Sequence, residues 1–235
     1  GNLSGLPATL PPAVKPKAYK LDMRRRTCEA LLARRVLIVE GATEYLSLPA
    51  AARALSNIDP SKYSSLEALG IAVVDAESDT QIAPLSKYYK HLGKTVFTAF
   101  DRQQPAQRDD IEAACDHPFE SPESSFEKLV LNHADPVALR RFAGDVEQIG
   151  DWPPHLAASP PSGWIDDDAL IDGLRAYFEW QKASGSIALL LESCEEPEMP
   201  EYIRTTIASI KAIVFPAPEP APAEPQLEDD AGKSA

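Results

Sequence analysis

The sequence predicts an α/β protein: a parallel sheet with helices on its faces, followed by an all-helical region. Three observations carry that expectation. Short apolar runs rich in β-branched residues alternate with helical patterns, each run ends in a carboxylate, and the second half of the chain reads as helix only. Strand–helix–strand–helix–strand order with short connections implies parallel strands and right-handed crossovers.

The lead-in, residues 1–33, holds Pro7, Pro11, Pro12 and Pro16 in a loop-like stretch. A helix is expected from Leu21 to Ala33, where Met23, Cys28, Leu31 and Leu32 fall at roughly helical spacing. Arg24–Arg26 and Arg34–Arg35 form the one basic concentration, read as a solvated helix face rather than a phosphate clamp. Val36–Val39 is apolar on both faces and so reads as a buried strand. It ends in Glu40, and Gly41 follows as a turn where a side chain would clash. Thr43 is the expected cap of a helix running to about Leu55, with Glu44 in its first turn. Pro49 is tolerated early in that helix or kinks it.

Leu69–Asp75 reads as the second strand, Ile82–Leu92 as a helix stopped by Gly93, and Thr95–Phe100 as the third strand, ending in Asp101. In a parallel sheet the ends carrying Glu40, Asp75 and Asp101 share one edge, where open α/β sheets bind ligands. Residues 102–122 are polar and mixed, with a helix around Asp109–Cys115. A serine-capped helix starts at Ser124–Ser125 with Phe126, Leu129 and Val130 as its apolar stripe. Further helices are expected over Val137–Ile149, from Asp166–Asp168 through Trp180, over Ile187–Leu191 and over Pro200–Val214. From residue 216 the chain turns acidic, proline-rich and low in complexity, the composition of a disordered tail. The expected organisation is thus lead-in 1–33, sheet domain 34–135, helical domain 136–215 and tail 216–235.

At 235 residues, 44% hydrophobic and 25% charged, the chain can bury a substantial core. No run approaches the ~18 apolar residues of a membrane span, and the polar, proline-rich start is no signal peptide. The absence of an initial Met before Gly1 is expected of a fragment of a longer protein. Cys28, Cys115 and Cys194 are odd in number and far apart, as are the four histidines. That spacing argues against zinc and disulfides and for a reducing cytoplasm. With 23 basic and 36 acidic residues the net charge is −13, unlike a generic nucleic-acid binder. An enzyme that meets DNA through divalent ions stays open, because the ions bring their own positive charge.

Glu40 and Glu44 in one crevice suit a hard divalent cation better than they suit each other. The competing readings are a solvated strand end for Glu40 and a helix-dipole partner for Glu44. Dinucleotide and P-loop glycine motifs are absent, as is a Gly-x-Ser-x-Gly elbow. Trp152, Trp164 and Trp180 fit helical cores better than a base-stacking platform.

Val39-Glu40-Gly41-x-Thr43-Glu44 resembles the first signature of the TOPRIM domain, in the form found in OLD (overcoming lysogenization defect) nucleases. The resemblance extends over about residues 34–215. Gly70–Val74 with Asp75–Asp79 occupies the second-strand position, and Val96–Asp101 the strand that carries an Asp-x-Asp signature. Ser125–Leu129 resembles the later acidic helix motif, and Lys182–Ala188 the lysine segment of the helical part. One departure is clear: Asp101-Arg102-Gln103 stands where Asp-x-Asp is asked for, and Gln103 is at best a neutral oxygen ligand.

The resemblance implies a metal-dependent endonuclease or nickase acting on DNA, using two Mg²⁺ or Mn²⁺ ions with Ca²⁺ as an inert substitute. The implied ligands are Glu40, Glu44 and Asp101, with Glu127, Ser125 and Asp75 as suppliers for the missing Asp. Glu40 bridges the ions or acts as general base, and Lys182 neutralises charge on the scissile phosphate. An N-terminal ATPase in the full-length protein, a homodimer or a helicase-type partner, and a role in phage defence or DNA repair are implied as well. Two other readings compete with it. One is a non-catalytic TOPRIM module that binds metal or a partner; the other, a receiver-like phosphoryl-transfer domain, lacks a counterpart for the helical half.

Overall fold

The computed structural model describes residues 26–156, 161–164, 166–181 and 184–216. Lys182, most of the lead-in and the acidic tail lie outside the described residues. Four parallel strands form one sheet: β1 (Arg35–Val39), β2 (Ile71–Asp75), β3 (Thr95–Phe100) and β4 (His117–Glu120), in the order β2-β1-β3-β4. The described helices are α1 (Arg26–Leu32), α2 (Ala42–Ile58), α3 (Asp79–His91), α4 (Pro105–Ala114), α5 (Phe126–His133), α6 (Pro136–Gln148), α7 (Asp167–Trp180), α8 (Ser186–Ser193) and α9 (Glu201–Val214).

The period-two alternation of the strands divides the interior into two cores. Leu37, Val39, Ile71, Phe97 and Ala99 face one side and pack with Leu48, Phe126, Leu139, Leu174, Leu190 and Ile207. That single apolar cluster therefore joins the sheet to every helix from α5 onward. Val36, Ile38, Val74, Val96 and Phe100 face the other side, against Ala30, Ile82, Tyr89 and Ile111 of α1, α3 and α4. Both faces of β1 are buried, which is why its apolar run is unbroken. Each of its larger side chains contributes roughly 1.5–3 kcal/mol of burial free energy.

The alternating order of strands and helices is as the sequence predicts, with small shifts at the ends. The strand read from Leu69 begins at Ile71, because Gly70 takes φ +65° and turns the chain into it. Gly93, at φ +76°, ends α3 as expected. Pro49 lies inside α2, which continues through it to Ile58. Strand β4 has no counterpart in the sequence reading. It is a four-residue edge strand, His-Pro-Phe-Glu, without an alternating apolar pattern. Pro118 is permitted there because an edge leaves one side of the strand unpaired.

Two local expectations are corrected. Thr43 does not cap α2: Gly41 is the N-cap residue and no side chain caps it, while Thr43 lies within the first turn. Gly41 has extended φ/ψ of −153° and −176°, which any residue adopts, and a Cβ there would lie 3.4 Å from Glu44 Oε2. A side chain at this point would make only ordinary van der Waals contact, so neither a clash nor a turn requires the glycine.

Candidate metal-binding cleft at the carboxyl edge of the sheet

Strand register brings the acids to one edge. Val39 pairs with Asp75 on one side and Ala99 on the other, so Glu40 and Asp101 leave the sheet within a residue of each other. An open cleft of about 520 Å³ lies over this edge. Glu40, Glu44, Asp75 and Asp101 line it, joined by Ser125 and Glu127 from the N-terminus of α5. All six sequence-predicted ligands within the described residues thus share one cleft.

Their local roles differ. Glu44 and Asp101 are nearly buried, 7% and 8% exposed. Asp101 Oδ1 is buried with no hydrogen-bond partner among the described residues. Glu40 Oε2 accepts from the Asp101 backbone N–H at 3.3 Å and from Gln103 Nε2 at 3.1 Å. Glu127 Oε1 accepts from Thr43 Oγ1 at 3.1 Å, a contact that ties α5 to the first turn of α2. Ser125 Oγ caps α5 by accepting from Lys128 N at 3.1 Å. Asp75 Oδ1 accepts from Glu77 N at 2.7 Å and so closes the turn after β2. Beneath the cleft, the Tyr202 hydroxyl of α9 donates to the Phe119 carbonyl at 2.8 Å.

The electrostatics follow from burial and crowding. Desolvation, then the charges of Glu44, Glu40 and Glu127, push the Asp101 carboxyl up to about 8. Desolvation, then Glu127, Glu40 and Asp75, push Glu44 up to about 7, against a backbone hydrogen bond that lowers it. Glu40 is raised by burial and by Asp79, with the Asp101 backbone N–H opposing. Carboxyls so perturbed in a cleft mark a functional site more often than a structural one.

The donor set fits a hard divalent cation. It consists of carboxylate and hydroxyl oxygens without thiolate or imidazole, and it includes a buried orphan oxygen on Asp101. Among the described residues, no three His, Cys, Asp or Glu side chains stand close enough to clasp an ion as they are.

Several cleft residues escaped the sequence reading as site residues. Glu77, Ser78 and Ser124 line the cleft. Glu77 has φ +60°, a left-handed conformation uncommon outside glycine. Glu120, at the end of the unforeseen β4, accepts from Gln103 N at 2.9 Å. The only signal for Glu120 was an acid closing a short segment. Next to the main cleft, a smaller one is lined by Thr43, Ser47, Glu127, Phe178, Gln181, Gly185, Ser186 and Ile187. Gln181, Gly185 and Ser186 therefore adjoin Glu127 and Thr43, with Gly185 at φ +91° leading into α8.

Comparison with known proteins agrees with this architecture. Residues 31–102 match the family model of the overcoming lysogenization defect protein-like TOPRIM domain. The C-terminal region of the Burkholderia pseudomallei OLD protein superposes with a TM-score of 0.57 at 19% identity, covering 78% of this chain and 99% of that one. The C-terminal region of the Xanthomonas campestris pv. campestris OLD protein gives 0.52 at 22% identity, covering 79% and 96%. No curated protein matches the chain. Among the described residues, no helix is long and apolar enough to cross a membrane. Residues 31–102 thus match the OLD-like TOPRIM domain model, and the chain around them has the fold of the C-terminal region of OLD proteins.

Proposed function

We propose that this chain is a metal-dependent DNA endonuclease or nickase, the C-terminal nuclease part of an OLD-type ATPase–nuclease. One observation carries the reading: Glu40, Glu44, Asp101 and Glu127 line a single cleft in which Asp101 Oδ1 is buried without a hydrogen-bond partner among the described residues. Two Mg²⁺ or Mn²⁺ ions, with Ca²⁺ as an inert substitute, would supply the activated water and stabilise the leaving 3′-oxygen of a phosphodiester. Glu44 and Asp101 would hold one cation, and Glu127, steadied by Thr43, the other. Glu40 would bridge them or serve as general base. Asp75 and Ser125 contribute further oxygens at the rim.

Lys182 neutralises charge developing on the scissile phosphate. What supports this is the position of its described neighbours, since Gln181, Gly185 and Ser186 line the cleft beside Glu127. In this reading residues 34–135 carry the chemistry and residues 136–215 brace it. The solved relatives are themselves C-terminal regions, which supports an N-terminal partner domain, an ATPase by the resemblance. Dimerisation or a helicase-type partner, and a place in phage defence or DNA repair, belong to the same reading.

The test is nicking of supercoiled plasmid. Mg²⁺ or Mn²⁺ should support it, EDTA should abolish it, and Zn²⁺ should substitute poorly given the hard donor set. Glu40→Ala and Glu44→Ala should both be inactive; full activity of both would end the proposal. A second reading, a non-catalytic TOPRIM module, has one observation in its favour. Gln103 removes a negative charge from the site and hydrogen-bonds Glu40 instead. Metal binding without nicking on any DNA substrate would favour it.

A further inference from the structure

Gln103 lies two residues beyond Asp101, half-buried, and is held from both ends. Its backbone N–H donates to Glu120 Oε1 at 2.9 Å, and its side-chain Nε2 donates to Glu40 Oε2 at 3.1 Å. The Asp101 N–H, at 3.3 Å, donates to the same Glu40 oxygen. Two N–H donors therefore converge on Oε2. A lone pair occupied by N–H groups is closed to a cation, and the positive ends of those dipoles repel one. Elsewhere in the cleft, Glu44 and Asp101 lie with Glu40, and Asp101 Oδ1 is buried with no hydrogen-bond partner among the described residues. Glu40 Oε2 is thus taken up by donors, while Asp101 Oδ1 is open to a cation.

Resting on the metal-dependent reading above, we infer that Gln103 makes the cation positions of this cleft unequal. One divalent ion binds tightly at Glu44 and Asp101, and a second, which draws on Glu127 and on Glu40, binds only weakly. Gln103 is a positioning residue here: it holds the Glu40 carboxylate through Oε2 and takes up that oxygen with an N–H donor. Glu120 acts one step further out by fixing the Gln103 backbone. A second ion then requires added negative charge, such as a phosphate of the DNA backbone, so occupancy of the second position is coupled to substrate.

The experiment counts bound Mn²⁺ by the loss of the free-ion electron paramagnetic resonance signal, using the full chain without DNA. The unchanged protein should bind one ion, and a second at least about tenfold more weakly, the scale on which partners of metal ligands tune affinity. Gln103→Asp should tighten the second position by about tenfold or more by adding a ligand charge. Gln103→Ala decides the role of the amide. If its N–H blocks the position, removal tightens the second ion; if its oxygen is a ligand, removal weakens it, and the inference fails. Two equal sites in the unchanged protein would overturn the inference while leaving the metal-dependent reading intact. No bound Mn²⁺ at all, or a tight site that survives Glu44→Ala, would remove both.

Discussion

Glu44→Gln should make the metal-free protein more stable at alkaline pH. Glu44 is 7% exposed and its carboxyl is raised to about 7 from an ordinary 4.5. The folded state therefore binds this proton more tightly than the unfolded chain does. Below about pH 4.5 both states are protonated, and folding carries no penalty from ionisation. As pH rises through about 7 the folded state must ionise a buried group beside Glu127 and Glu40, and stability falls. The 2.5-unit difference, at 1.36 kcal/mol per unit, sets the loss at about 3 kcal/mol. For a domain of this size that is on the order of 6–12 °C in melting temperature. Thermal melts in EDTA at pH 5 and pH 8.5 would read it directly. Wild type should lose several degrees between the two, and Glu44→Gln should lose clearly less and melt higher than wild type at pH 8.5. Millimolar Mn²⁺ should reverse the order at pH 8.5, because only the wild type keeps the ligand charge. A glutamine variant that melts at or below wild type at pH 8.5 in EDTA would refute the argument.

Lys182→Ala should lower nicking by about 10² or more, the scale of one preorganised charge stabiliser, with little change in Mn²⁺ affinity or melting temperature. Normal cutting by that variant would confine the site to the sheet acids and α5. Glu127→Ala should weaken Mn²⁺ binding as well as the rate, since it deletes a cleft carboxylate and frees Thr43. Calorimetric titration showing unchanged affinity would remove Glu127 from the ligand set. Gly173→Ala should destabilise the helical half by about 1–3 kcal/mol through overpacking, although alanine is the better helix former. Its Cβ would come within 2.1 Å of the Trp164 ring, itself packed edge-on to Trp152. Denaturant melts showing a gain in stability would mean that Trp164 relocates freely.

The parallel sheet and its acid-bearing edge were legible in the sequence because each depends on local signals. An apolar run buried on both faces, a carboxylate at its end and a helical pattern after it can be read within about ten residues, as at Val36–Glu44. The same holds for Asp101 after β3, for the Ser125 cap of α5 and for the Asp166 cap of α7, which accepts from Ala169 N. The family resemblance added what spacing alone did not: the expectation that these acids act as one set. What only tertiary structure decided are relations between distant segments. Thr43 is a plausible cap by sequence, yet its hydroxyl donates to Glu127, 84 residues away. Gln103 reads as the loss of a ligand, but in three dimensions it becomes a donor to Glu40. Strand β4 has no apolar alternation to announce it and forms because the β3 edge offers unpaired backbone groups, from Phe97 to Phe100. The raised carboxyls of Glu44 and Asp101 likewise depend on how deeply the fold buries these two groups and how many charges it gathers around them. Local sequence sets the propensity of each element, but hydrogen bonds, desolvation and charge repulsion act through space, and only the packed chain brings their partners together.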